Sequence, residues 1–331
     1  MDTERLDMKK WFAEAKFGMM IHWGLYSLLG GEWRGRRMDN YIAEWAQQYF
    51  RIPLSEYKKL CRAFNPVFFD AEEWVLTAKS AGMKYIVLVS KHHDGFAMFK
   101  SEVSDYNVVD ATPFGRDVVA ELAEACRKHG LKLGLYYSQD LDWEHPHGGG
   151  YTMGKVWCDN AAYLTNNWDY PDDKHKDYSI CFEQKIKPQV KEILTNYGDL
   201  CLIWFDVPVT LSPEQSDELY RMVKFYQPDC LVNSRIGNGR GDYESAGDNF
   251  IPDEHKAGML YESPCTMNGS WGYKYYDCNW KPAEEILRIK NKLNKMGCNY
   301  LLNVGPDHLG RIPAPCVEIL RKVGEEADLT N

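Results

Sequence analysis

The chain has 331 residues, 44% hydrophobic and 26% charged, enough to bury the core of one barrel-sized domain with insertions. Its formal charge of -9 lacks the clustered positive surface that phosphate backbones require, so no nucleic-acid partner is expected. Apolar runs stop at strand length, far short of the roughly 20 residues of a membrane span, so no membrane association is expected; the start MDTERLDMKK lacks an apolar signal core, so the chain is expected to be cytoplasmic or to have been trimmed.

In chain order, KFGMMIHWG (Lys16 to Gly24) reads as a strand that ends in polar and glycine residues. A helix is predicted from Asp70, where D-A-E-E supplies an N-cap with an acid three residues on, to Gly82. The run KYIVLVSKHHDGF (Lys84 to Phe96) is a continuously apolar strand, Tyr85 to Val89, feeding two adjacent histidines, an aspartate and a glycine. Such a strand is buried on both faces, as in a parallel sheet wrapped by helices. Arg116 to Gly130 carries an N-cap at Asp117, a basic last turn and a terminal glycine. KLGLYYS (Lys132 to Ser138) is the next strand, and Phe182 to Tyr197 is a helix leading into DLCLIWFD (Asp199 to Asp206). Ser212, Pro213 and Gln215 open another helix with a capping-box pattern. CLVNSR (Cys230 to Arg235), GMLYES (Gly258 to Ser263) and CNYLLNVG (Cys298 to Gly305) are the later strands. The ten cysteines contain no CxxC pair, and several lie in apolar runs, which predicts free and mostly buried thiols.

Strands separated by helices at this rhythm predict an α/β fold, a (β/α) barrel of TIM type in a single domain over 1–331, with a long βα insertion at 139–180. A doubly wound open sheet is the second choice, but no GxGxxG follows the first strand. Barrel sites gather where strands exit. The polar residues at those exits are His22, His92 with His93, Tyr136 or Tyr137, Asp206, Arg235, Glu262 and Asn303, with Trp23, Trp45, Trp204 and Trp271 nearby. Aromatic faces beside groups that make several hydrogen bonds suit a sugar ring. Asp206, after four apolar or aromatic residues, is the sharpest candidate for a nucleophile, against a plain turn or N-cap aspartate.

KFGMMIHWG, AEWAQQYF, KYIVLVSKHHDGF, LGLYYSQDLDW, LIWFD, NSRIGNGRGDY, YESPCTMNGSWGY and NYLLNVGPDHLGRIP resemble, in order, the conserved blocks of the α-L-fucosidases of glycoside hydrolase family 29. The resemblance runs from about Lys16 to Pro313, nearly the whole chain. It implies a barrel that cleaves terminal α-L-fucose with retention and without a cofactor or metal. The family's barrel is usually followed by a β-sandwich, which is expected to be absent here or to lie outside the chain.

By the same resemblance, His22, Glu44, Trp45, His92, His93 and Arg235 line a fucose pocket, with Trp271 beside them and the tyrosine of the YYS block, preferably Tyr137, the residue nearer the strand end. Trp204 is expected on the same side of its strand as Asp206, because side chains alternate. Asp206 takes the nucleophile position. The general acid/base is where the sequence departs: many relatives carry a glutamate in a TPE segment, whereas this chain reads GDYESAGDNFIPDE. Asp248, four residues before Pro252, matches an aspartate version of that block; Glu262 is the next candidate, followed by Glu244 and Glu254. The two carboxyls should lie about 5 to 5.5 Å apart, one protonated and one ionised.

Two other readings stay open. A fucose-binding pseudoenzyme is motivated by the altered segment at Gly247 and Asp248 and by Val207-Pro208, where glycine is common in relatives after the nucleophile. A metal-dependent barrel hydrolase is weaker: no HxH ends the first strand, His92 and His93 cannot point the same way from an extended segment, and the HPH at His145 to His147 reads as a solvated turn. The insertion, with Trp143, Tyr151, Trp157, Trp168 and Tyr170, is expected to shape the aglycone subsite, unless exposed aromatics there serve an interface. Linkage preference and oligomeric state are not legible.

Overall fold

The computed structural model describes residues 7–151, 164–254 and 258–328. Eight parallel strands form one sheet: β1 Phe17–Ile21, β2 Tyr85–Lys91, β3 Lys132–Tyr137, β4 Leu202–Phe205, β5 Leu231–Val232, β6 Glu244–Ser245, β7 Tyr261–Thr266 and β8 Asn299–Val304. Each pairs with its chain neighbour, and β8 returns to β1, with Phe17 opposite Tyr300 and Ile21 opposite Val304. Only β5 and β6 lack a ladder. A parallel bridge just beyond them, Asn233 to Tyr243, joins the two edges. Asp242 fills that seam, its carboxylate accepting from the Val232 N–H (3.0 Å) and its own N–H donating to the Val232 carbonyl (2.6 Å). The sheet therefore closes as a (β/α) barrel.

The two faces of the strands separate cleanly. Met20, Tyr85, Val87, Tyr136, Leu202, Trp204 and Leu301 form an inner cluster, while Met19, Ile86, Leu88, Leu135, Tyr137, Ile203 and Leu302 belong to an outer one under the helices. A one-residue step along any strand switches between them. Helix α1, Met8–Ala15, plugs the N-terminal mouth: Phe12 lies 4.7 Å from the Tyr243 ring, and its carbonyl accepts from the Asn299 amide at 2.9 Å.

The helix signals act as written in the sequence. Asp70 caps Ala71–Ser80 by accepting from Glu72 and Glu73, and Asp117 caps Val118–His129, which Gly130 ends in the left-handed region at φ 74. Ser212 and Gln215 form the full capping box of Pro213–Tyr226. Several elements differ from expectation. The helix predicted from Phe182 starts at Tyr178 and passes through a π turn at Phe182–Ile186. The two-residue β6 escapes any periodicity test. The strand predicted at Gly258 to Ser263 lies three residues later, as β7.

Among the described residues nine cysteines are free, all buried except Cys278. No described helix is long and apolar enough to cross a membrane.

Candidate active site

Asp206 follows β4 directly and stays partly open, its side chain 14% exposed. Both carboxylate oxygens are engaged: Arg235 Nη1 donates to Oδ1 (2.9 Å) and the Tyr136 hydroxyl to Oδ2 (3.0 Å). Gln139, just past β3, accepts from the Asp206 N–H (2.8 Å) and donates to the Arg235 carbonyl (3.0 Å). It clamps both residues from the backbone side. The next residue, Val207, sits at φ 48, a conformation that costs a β-branched residue on the order of 1–3 kcal/mol. Asp140 holds that turn, its Oδ2 accepting from the N–H groups of Val209, Thr210 and Leu211 at 2.6 to 2.9 Å.

Arg235 extends from a single helical turn, Ser234–Ile236, after β5, and its other terminal nitrogen donates to Asp248 Oδ1 at 2.6 Å. One guanidinium thus carries two carboxylates. Those carboxylates outweigh burial and hold the guanidinium above its ordinary range. Asp248 stands three residues beyond β6 with a 48% exposed side chain, facing solvent as a leaving-group donor would. Asn249 fastens this loop to the end of β7, its side-chain oxygen accepting from the Thr266 N–H (2.9 Å) and hydroxyl (3.0 Å). Glu244 lies within β6, and Glu254 is exposed beyond Asp248.

Around this pair lies a wall of buried rings. Asn303, oriented by donating to the Trp271 carbonyl (2.8 Å), offers its oxygen to His22 Nδ1 at 2.7 Å. Ser138, donating to the Leu141 carbonyl (2.8 Å), likewise accepts from His93 Nδ1 at 2.6 Å. Each histidine therefore carries its proton on Nδ1 and keeps Nε2 as an acceptor. Burial lowers His22 to about 4 and pushes His92 and His93 well below 6.5, so all three are neutral. Glu44, accepting from the Gly272 N–H (2.8 Å), is pushed by burial up to about 8 and keeps its proton at neutral pH, although that hydrogen bond opposes the shift. The pocket so combines ring acceptors with a carboxyl donor, which matches hydroxyls that both give and take hydrogen bonds. His92 stacks on Tyr136 at 5.5 Å and lies 5.6 Å from His22; Trp271 lies 5.2 Å from His22, and Trp45 4.9 Å from His93.

Several sequence expectations are corrected. The strand register pairs Tyr136 with Trp204 and turns both inward, whereas Tyr137 faces outward and donates to Gln189 at 2.9 Å. Tyr136, not Tyr137, touches the site. Glu262 is the second residue of β7 rather than a strand-exit residue, and it is 0% exposed below Trp204, out of reach of a leaving group. Burial raises it to about 7, against the hydrogen bonds that it accepts. Trp204 shares the inner face as expected, but it lies beneath Arg235 at 4.6 Å and is only 2% exposed. The two adjacent histidines do converge, with ring centroids 4.2 Å apart, because the chain leaves the strand at Lys91 and turns, Gly95 N–H bonding the His92 carbonyl. Alternation holds only while the chain is extended.

Among the described residues of the insertion, the aromatics brace the wall rather than standing free. Trp143 is fully buried, edge-on to Trp45 at 5.3 Å, while Trp168 donates to the Ile52 carbonyl and Tyr170 to that of Glu144. Tyr151 accepts from the Tyr178 N–H; Trp157 lies outside the described residues. His145 and His147 each use Nδ1 to accept a backbone N–H. Among the described residues no three His, Cys, Asp or Glu side chains gather as a metal site. Gln139, Ser138 and Asn249 were not singled out in the sequence. Gln139 and Ser138 had a signal, as polar residues just past a strand end.

Replacing Tyr136 by Phe is expected to lower kcat about 10- to 100-fold, the scale of a hydrogen bond to a charged group, while Tyr137→Phe leaves kcat unchanged and costs about 1 kcal/mol of stability. Steady-state kinetics and thermal unfolding of the two variants check this.

Stability should also peak at mildly acidic pH. Between about 4 and 6.5 the unfolded chain takes up protons that buried His22 refuses, so stability is lost as pH falls through that window, and His92 and His93 act in the same direction. Between about 4.5 and 8 folded Glu44 keeps a proton that the unfolded chain has released, as Glu262 does up to about 7, so stability is lost as pH rises. A Tm that climbed steadily from pH 6.5 to 8 would contradict these assignments.

The model of the family described as alpha-L-fucosidase matches residues 1–327. Among solved structures, the chain is similar to the α-L-fucosidase AlfC of Lactobacillus casei in complex with α-L-fucose product, at 54% identity and a TM-score of 0.93 over 98% of this chain and 99% of that one. A variant of AlfC in complex with Fuc(α1,6)GlcNAc aligns at 52% identity and a TM-score of 0.91, over 97% of this chain and 99% of that one. Among curated proteins, the tissue α-L-fucosidase of Macaca fascicularis is 32% identical over 348 residues, covering 96% of this chain and 67% of that protein.

Proposed function

The chain belongs to the α-L-fucosidase family, and from that membership and the pocket's geometry we propose that Asp206 is the nucleophile and Asp248 the general acid/base of a retaining exo-α-L-fucosidase. The observation that carries this reading is the Arg235 guanidinium bonded to both carboxylates, at 2.9 and 2.6 Å. Sharing one guanidinium holds the two carboxyl groups on one side of the pocket, the pairing of carboxyls that a retaining glycosidase uses.

In the first step an Asp206 oxygen bonds the anomeric carbon as the bond to the leaving oxygen breaks, and Asp248 delivers its proton to that oxygen. In the second, Asp248 takes a proton from water, which displaces Asp206 and restores the starting configuration. Arg235 and Tyr136 keep Asp206 from rotating while it waits. His22, Glu44, Trp45, His92, His93 and Trp271 seat the terminal fucose. Trp204 supports Arg235 and Tyr136 from below.

We read the chain as one catalytic barrel whose insertion at 139–180 frames the aglycone side. Fucose α1,6-linked to N-acetylglucosamine and aryl fucosides are the first substrates to test, since AlfC structures hold such ligands. The experiment is a panel of α1,2-, α1,3-, α1,4- and α1,6-fucosylated oligosaccharides and a nitrophenyl fucoside, with the first-formed anomer followed by NMR. Release of α-L-fucose supports the proposal; initial release of β-L-fucose, or binding with no turnover of any member, refutes it.

A further inference from the structure

Glu262 is a carboxylate for which the two-step mechanism has no task. It lies inside the barrel, where two donors converge on it from different strands. The Tyr85 hydroxyl donates to Oε2 at 2.6 Å and the Trp204 indole N–H to Oε1 at 2.9 Å. Room for this arrangement comes from Gly18 on β1, where a Cβ would lie 2.5 Å from the Tyr85 ring. The carboxyl group turns one oxygen toward each donor, which an apolar side chain could not do.

Trp204 links this buried group to the chemistry. Its ring supports the Arg235 guanidinium at 4.6 Å and stacks with Tyr136 at 5.5 Å and 18°. Those two residues hold the two oxygens of Asp206. An indole has one donor and no acceptor, so its bond to Glu262 is the only polar constraint on the ring. Without it the N–H is left unpaired in the core, and the platform under Arg235 and Tyr136 loses its fixed plane.

We propose that Glu262 is a positioning residue that fixes the plane of Trp204 and, through Arg235 and Tyr136, aims Asp206 at the anomeric carbon. The inference rests on Asp206 being the nucleophile. It also separates two behaviours that activity loss alone would confuse, because removing a positioning carboxylate and removing the acid/base both cripple the enzyme.

The test is kinetics of Glu262→Ala, Glu262→Gln, Trp204→Phe and the Glu262→Gln/Trp204→Phe double variant on a nitrophenyl fucoside and on a fucosyl disaccharide, with and without azide. For Glu262→Ala, kcat per folded active site should fall about 10²-fold, the scale of a misplacement near 1 Å. The loss should be equal for both substrates, inhibition by free fucose should change less than about threefold, and azide should neither restore the rate nor yield fucosyl azide. Glu262→Gln, which keeps one acceptor for Trp204, should recover most of the rate. The double variant should be no slower than Trp204→Phe, since both act through one contact. Azide rescue with an α-fucosyl azide product, or a loss confined to the poor leaving group, would make Glu262 the acid/base and overturn the proposal. So would additive losses in the double variant, or a fall in Tm with kcat per active site unchanged. Should Glu262→Ala not fold, the Gln and Phe variants decide alone. Failure of the premise looks different: the wild type would then form no covalent adduct at Asp206.

Discussion

Asp206→Ala is expected to lower kcat on the nitrophenyl fucoside by on the order of 10⁴-fold, the scale for losing a covalent nucleophile, while the folded protein still binds fucose. Binding should survive because the ring wall of His22, His92, His93, Trp45 and Trp271 is built from other strand exits and loops. Arg235 keeps a partner in Asp248, so the variant does not leave an isolated buried charge. Azide should restore part of the rate by attacking the anomeric carbon from the vacated side, giving β-L-fucosyl azide. Loss of less than about tenfold would remove Asp206 from the nucleophile position.

Asp248→Ala should behave differently. A general acid contributes about 10²- to 10⁴-fold where the leaving group needs a proton and little where it does not. The disaccharide should therefore lose most of its turnover while the nitrophenyl fucoside keeps most of its first step. Azide should here attack the fucosyl-enzyme and yield the α-azide, the opposite anomer from the Asp206 variant. Glu254→Ala, at an exposed acid beyond that loop, should show no azide product and no leaving-group dependence. Equal losses on both substrates would reject Asp248 as the acid.

The fold was largely legible because its signals are local. Caps at Asp70, Asp117 and Ser212 and the apolar runs of β2, β3, β4 and β8 depend on residues a few positions apart, and the structure keeps them. Where reading failed, the deciding information lay between strands. Tyr137, nearer the strand end, is the preferred tyrosine until the register with β4 pairs Tyr136 with Trp204. Glu262 reads as a strand exit because the run is expected to end at Ser263, yet β7 continues through Pro264 to Thr266. Asp248 gains its place from a two-residue strand, too short for any alternation to show. The convergence of His92 and His93 required knowing that the chain turns at Gly95, which sits at φ 77.

The most direct measurement is to trap the intermediate. Wild-type protein incubated with 2-deoxy-2-fluoro-α-L-fucosyl fluoride, whose second step is slowed more than its first, is digested and its peptides are analysed by mass spectrometry. The account predicts one fluorofucosyl group per chain, on the peptide containing Asp206 and on that side chain. A label on any other residue, or steady fluoride release with no covalent adduct, would contradict it.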